Sequence, residues 1–120
     1  MKNIPTKEQQ DYFFQRVEHY QKILNLLDWR IERSNKPASS GAYAETHFSY
    51  PDHLAVIKLG KDFGDSVVSN ELLDGTACHE VLHVFFKDLV VAALTEHEHL
   101  DTLEHAKVIV LEKLLSNPNL

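Results

Sequence analysis

The chain is 120 residues long, 43% apolar and 25% charged, with a formal net charge of -6. This is enough for one domain, residues 1–120, and too little for two; the acidic balance argues against a nucleic-acid backbone as partner, and no apolar run approaches the ~20 residues of a membrane span. The one cysteine, Cys78, excludes an internal disulfide and, with no charged and apolar leader at the start, fits a cytoplasmic protein.

A helix is predicted from about Thr6 to Leu27. Pro5 precedes it, Thr6 and Gln9 have the spacing of a capping box, and Phe13, Val17, Tyr20, Leu24 and Leu27 recur on one face. "WRIER" then alternates as a short strand, and "SNKPASSG" is a cluster of turn formers. Two further strand-like runs, Tyr43–Phe48 and Leu54–Leu59, are joined by the turn "SYPD". From about Asn70 the chain is helical and apolar on almost every side, the pattern of a helix packed in the interior, with Gly75 expected to interrupt its first turns. "TEHEHLDTLEHAKVIVLEKLL" makes a last helix, ended by "SNPN". This order predicts an α+β fold, a small antiparallel or mixed sheet with the helices on one side.

The fifth element, the helix from about Asn70, carries His79-Glu80-Val81-Leu82-His83. Chance alone would produce His-Glu-x-x-His about 5% of the time in a chain this rich in histidine, so its surroundings must decide. Histidines four apart share one helix face, and both imidazoles reach a single metal. In a buried helix such groups need a compensating partner, and a zinc ion is one. A catalytic zinc keeps three protein ligands and an open fourth position. Phe86 and Leu89 stand where a metzincin needs Gly and His, which removes that pattern.

The last helix must then supply the third ligand. Leu100, Leu103, Val110, Leu111 and Leu114 define an apolar face that takes in Glu104, whereas His105 turns toward Asp101 and Glu112. Glu104 is the expected third ligand; the competing readings are a buried salt bridge, with Lys107 nearby, or ligation by His97, Glu98 or His99 in "EHEHL".

These residues resemble the zincin metallopeptidases, in particular the gluzincin type, in which a glutamate on a downstream helix completes the zinc site. Short phage-related or minimal zincin-like metallopeptidases are the nearest likeness, spanning about Leu54 to Leu115, with "HEVLH" as its specific part. Val108 stands where the fuller gluzincin signature has an acidic residue. The resemblance implies a minimal zincin-like core: helix, three-stranded sheet, His-Glu-x-x-His helix, ligand helix. It implies Zn2+ held by His79, His83 and Glu104, and Glu80 as the base that takes a proton from water. It also implies a peptide or protein substrate paired with a sheet edge, Leu54–Leu59 or Tyr43–Phe48. A second electrophile is expected among Tyr50, His53, His97 and His99. The alternative is a non-catalytic or cryptic zincin-fold protein that binds zinc or a partner without hydrolysis.

Overall fold

The first helix, α1 (Lys7–Ile23), begins where the capping box places it. The Gln9 N–H donates to Thr6 Oγ1 at 3.1 Å and the Thr6 N–H donates to Gln9 Oε1 at 2.8 Å. It stops short of Leu27 because Asn25 turns left-handed at φ 57°. That turn buries Leu24 and Leu26 and leaves Leu27 72% exposed. The structure, a computed structural model, describes residues 2–39, 41–95 and 100–116.

Strands β1 (Arg30–Arg33), β2 (Ala44–Ser49) and β3 (Leu54–Leu59) form a mixed sheet in the order β1-β3-β2. β1 lies parallel to β3, and β2 antiparallel to it with Ser49 opposite Leu54. The connecting turn closes through the His53 N–H, which donates to the Tyr50 carbonyl at 3.0 Å. Along β3, Ala55, Ile57 and Leu59 are buried while Leu54, Val56 and Lys58 are half-buried. This period of two means that helices cover one face of the sheet only.

That cover is chiefly α2 (Asn70–Thr95), capped by the Ser69 hydroxyl, which accepts from the Leu72 N–H at 3.1 Å. Gly75 does not interrupt it. Leu73, Ala77, Val81, Val84 and Phe85 meet Phe13 and Val17 of α1, Trp29 and Ile57 in the core. The helix is not interior all round, however. His79, His83, Phe86, Val90 and Leu94 make an outward stripe. Length explains this: 26 residues span about 39 Å, whereas a six-residue strand covers about 20 Å.

Two further contacts fix the helices. Arg16 Nε donates to Asp74 Oδ1 at 2.6 Å and the Tyr20 hydroxyl to Asp74 Oδ2 at 2.9 Å, tying α1 to α2. Burial works against the Asp74 carboxylate, but these two bonds outweigh it and hold the group below its usual pKa. The last helix, α3 (Leu100–Leu115), rests on the core through half-buried Leu103, Lys107, Val110, Leu111 and Leu114; none of its described residues is fully buried. No helix among the described residues is long and apolar enough to cross a membrane.

Candidate functional site

One end of the site is set by α2. Two imidazoles four residues apart leave its outward face with their Nε2 atoms 3.2 Å apart, those of His79 and His83. Two nitrogens 2.0–2.1 Å from a tetrahedral ion would stand roughly 3.3–3.4 Å apart, so the pair fits as two ligands of one metal. It equally fits one neutral ring donating to the other. Burial does not demand a metal here, because both histidines are exposed.

The buried member of the motif is Glu80, 6% exposed. It faces β2, whose residues Ala44, Thr46 and Phe48 alternate toward α2. The Thr46 hydroxyl donates to Glu80 Oε1 at 2.8 Å, and Lys87 Nζ sits 4.6 Å above the Phe48 ring. Thr46 compensates the carboxylate that the fold takes out of water. Nothing in the local sequence links two residues 34 apart; only the alternation of "AETHFS" places Thr46 on the same strand face as Phe48.

A groove of about 440 Å³ runs from this point between β2 and the first half of α2. Ala42, Tyr43 and Ala44 form one wall; Leu72, Gly75 and Thr76 form the other, and His79 and Glu80 close the end. The Tyr43 hydroxyl is hydrogen-bonded to the Ser66 hydroxyl and its ring stacks on Phe63 at 4.7 Å, which steadies that wall. Of the two runs expected to offer a sheet edge, Leu54–Leu59 is the central strand. The other, Tyr43–Phe48, lies on β2, an edge strand whose outer side no strand pairs among the described residues; β1 is the opposite edge.

Glu104 is exposed and does not join the histidine pair. The apolar face of α3 is centred nearer Lys107, whose Nζ lies 4.2 Å over the Phe85 ring. Burial pulls that ammonium below its usual pKa, against the opposing pull of Asp88 and Asp28. With Lys107 occupying the face, Glu104 falls at its margin and meets water. His105 is exposed too. His97, Glu98 and His99 lie outside the described residues.

Among the described residues, the three-member group able to approach one ion is elsewhere: Asp28, His53 and Asp88. His53 Nδ1 is 3.5 Å from Asp28 Oδ2 and Nε2 is 3.4 Å from Asp88 Oδ1. An ion there would use one ring nitrogen and an oxygen from each carboxylate, atoms that lie within 4.8 Å of one another; without one, the ring bridges the two acids from its opposite ends. His53 stacks flat on Trp29 at 4.6 Å, and the Trp29 Nε1–H donates to Asp88 Oδ2 at 3.4 Å. The cluster thus clasps three segments at the end of the core. Tyr50 and His53, both considered as second electrophiles, belong to this corner, and neither lines the groove.

Cys78 is half-buried, and burial chiefly, with Asp74 nearby, raises its thiol pKa. That is the setting of an inert thiol rather than a nucleophile or ligand. No protein-family model, curated protein or solved structure matches this chain.

Proposed function

We propose that the chain is a zinc-dependent peptidase of minimal zincin-like architecture. The observation that carries this is the meeting, at one end of a groove, of paired imidazoles, a carboxylate and a free strand edge. His79 and His83 hold the ion, and Glu104 completes its protein ligands. Glu104 reaches the pair only if α3 turns, which disturbs the half-buried contacts of Leu103, Lys107, Val110, Leu111 and Leu114; metal binding supplies the free energy for that turn. When bound, zinc supplies Lewis acidity toward a carbonyl oxygen and a water.

The chain's own residues do the rest. The β2 edge pairs with the backbone of an extended substrate and lays it along the groove. Thr46 holds Glu80 Oε1, leaving Oε2 to take a proton from the attacking water and pass it to the leaving amine. The lone free cysteine suits a reducing compartment, and the cytoplasm is the location that goes with this reading.

A second reading is favoured by one specific fact, the separation of Glu104 from the histidines. In it the chain binds zinc, or a peptide partner, without hydrolysis. Elemental analysis and a fluorogenic peptide library test both. The peptidase reading expects about one zinc per chain, lost in His79→Ala, and turnover abolished in Glu80→Gln with zinc retained. Zinc without turnover selects the second reading, and protein that takes up no zinc refutes both zinc assignments.

A further inference from the structure

Three of the four glycines have a structural reason to be glycine. Gly41 and Gly64 adopt φ of 87° and 63°, and a Cβ at Gly60 would run into the Ala42 carbonyl. Gly75 has neither reason. It is helical and exposed, and a Cβ built there would meet no heavy atom within 4 Å. Glycine inside a helix is destabilising relative to alanine, and here neither backbone nor packing calls for it.

The space it leaves is the floor of the groove, one helical turn before His79. On the opposite wall Ala42 and Ala44 are small and flank Tyr43, and Leu72 adds apolar surface on the Gly75 side. The groove is lined by two acids, Glu71 and Glu80, and by no Lys or Arg; His79 stands at its far end, two turns from Glu71. Glu71 lies one turn before Gly75, about 6 Å along the axis. In an extended chain, side chains two apart point the same way and stand about 6.7 Å apart. The two repeats match.

We propose that Gly75 opens a subsite for an aliphatic side chain of an extended peptide, and that Glu71 receives a basic side chain two positions away. This rests on the same groove and strand edge as the peptidase reading, but not on hydrolysis. The aliphatic group fills the space over Gly75, the cation meets Glu71, and the intervening residue points away from α2.

Fluorescein-labelled pentapeptides in an alanine background test it by polarisation, carrying Leu and Lys two apart in either order, with Gly for Leu or Glu for Lys as controls. In one of the two orders, the Leu/Lys peptide should bind at least ~10-fold tighter than either control, a factor worth 1.4 kcal/mol. Gly75→Leu should abolish the preference for Leu, and Glu71→Gln the preference for Lys. Gly75→Ala should raise the melting temperature by helix propensity while weakening the Leu/Lys peptide, opposite signs that a purely structural glycine would not give. Binding with this pattern but no cleavage sinks the peptidase reading and leaves the subsite standing. Cleavage with the same rates for Leu and Gly peptides, and no effect of Gly75→Leu, overturns the subsite alone. No binding by any peptide overturns it as well.

Discussion

Thr46→Val removes one hydroxyl while keeping the shape of the side chain, and the structure predicts what that hydroxyl is worth. Glu80 is 94% withdrawn from water, being 6% exposed, and the Thr46 hydroxyl is its donor at 2.8 Å. Leaving a buried charged acceptor without its donor costs about 1–3 kcal/mol. For a domain of this size that corresponds to a fall in melting temperature of roughly 4 °C per kcal/mol. The single tryptophan reports it cleanly, since Trp29 is 2% exposed and buried in the same core. Urea unfolding followed by its fluorescence should give the loss in midpoint at unchanged slope. Thr46→Ser, which keeps the donor, should recover most of it. In a Glu80→Met background, where no carboxylate needs the hydroxyl, Thr46→Val should be nearly neutral, so the double-mutant cycle isolates the pair. A change below about 0.5 kcal/mol in the wild-type background, or an equal loss in both backgrounds, would show that Thr46 does not support Glu80.

The other predictions concern the third ligand and the strap between α1 and α2. In calorimetric zinc titrations, Glu104→Ala should weaken binding by 10-fold or more, a loss typical of disturbing a metal's supporting groups, with His105→Ala close to wild type; the reverse order would move the ligand. Against the effect of burial, Arg16 and Tyr20 hold the folded pKa of Asp74 below its ordinary carboxylate value, so its stabilisation is present above the unfolded pKa and is lost as pH falls through the folded one. Asp74→Asn should therefore be less stable than wild type at pH 7, by about 1 kcal/mol or less because both partners are about a third exposed. The gap in urea midpoint should close on acidification below about pH 4; a gap independent of pH would contradict it.

Much of the architecture is legible in the sequence, and the reasons are local. Thr6 and Gln9 announce the start of α1 by satisfying each other's backbone groups, and the short apolar run Leu54–Leu59, bounded by turn formers, is strand β3, although its alternating burial does not show in its composition. Contrast was missing in α2. With Phe86, Val90 and Leu94 on the side away from the core, its hydrophobicity has no preferred direction, so the pattern could not say that the two histidines face water and Glu80 faces the sheet. The burial argument for a metal between them therefore fell on the wrong residues. The wheel of α3 erred for a related reason. At 100° per residue Lys107 falls near the middle of the face set by Leu103, Val110, Leu111 and Leu114, and Glu104 falls just past its Leu111 edge; Lys107 lays its ammonium over Phe85, so the buried polar place on this helix is taken by the lysine. Thr46 was invisible because its partner is brought in by tertiary folding alone.

The pairing of distant segments also sets an order in which the molecule can be made. The turn between β2 and β3 joins neighbours in sequence, so that hairpin can close early. The stripe of α1, by contrast, waits for α2, whose Asp74 lies 58 residues beyond Arg16. During synthesis at about 5–20 residues per second, Phe13 and Val17 would stay uncovered for several seconds until Leu73, Ala77 and Val81 emerge. A ribosome stalled between these two helices would display a sticky amphipathic helix with no mate, which makes the nascent chain, rather than the finished fold, the stage most in need of a chaperone.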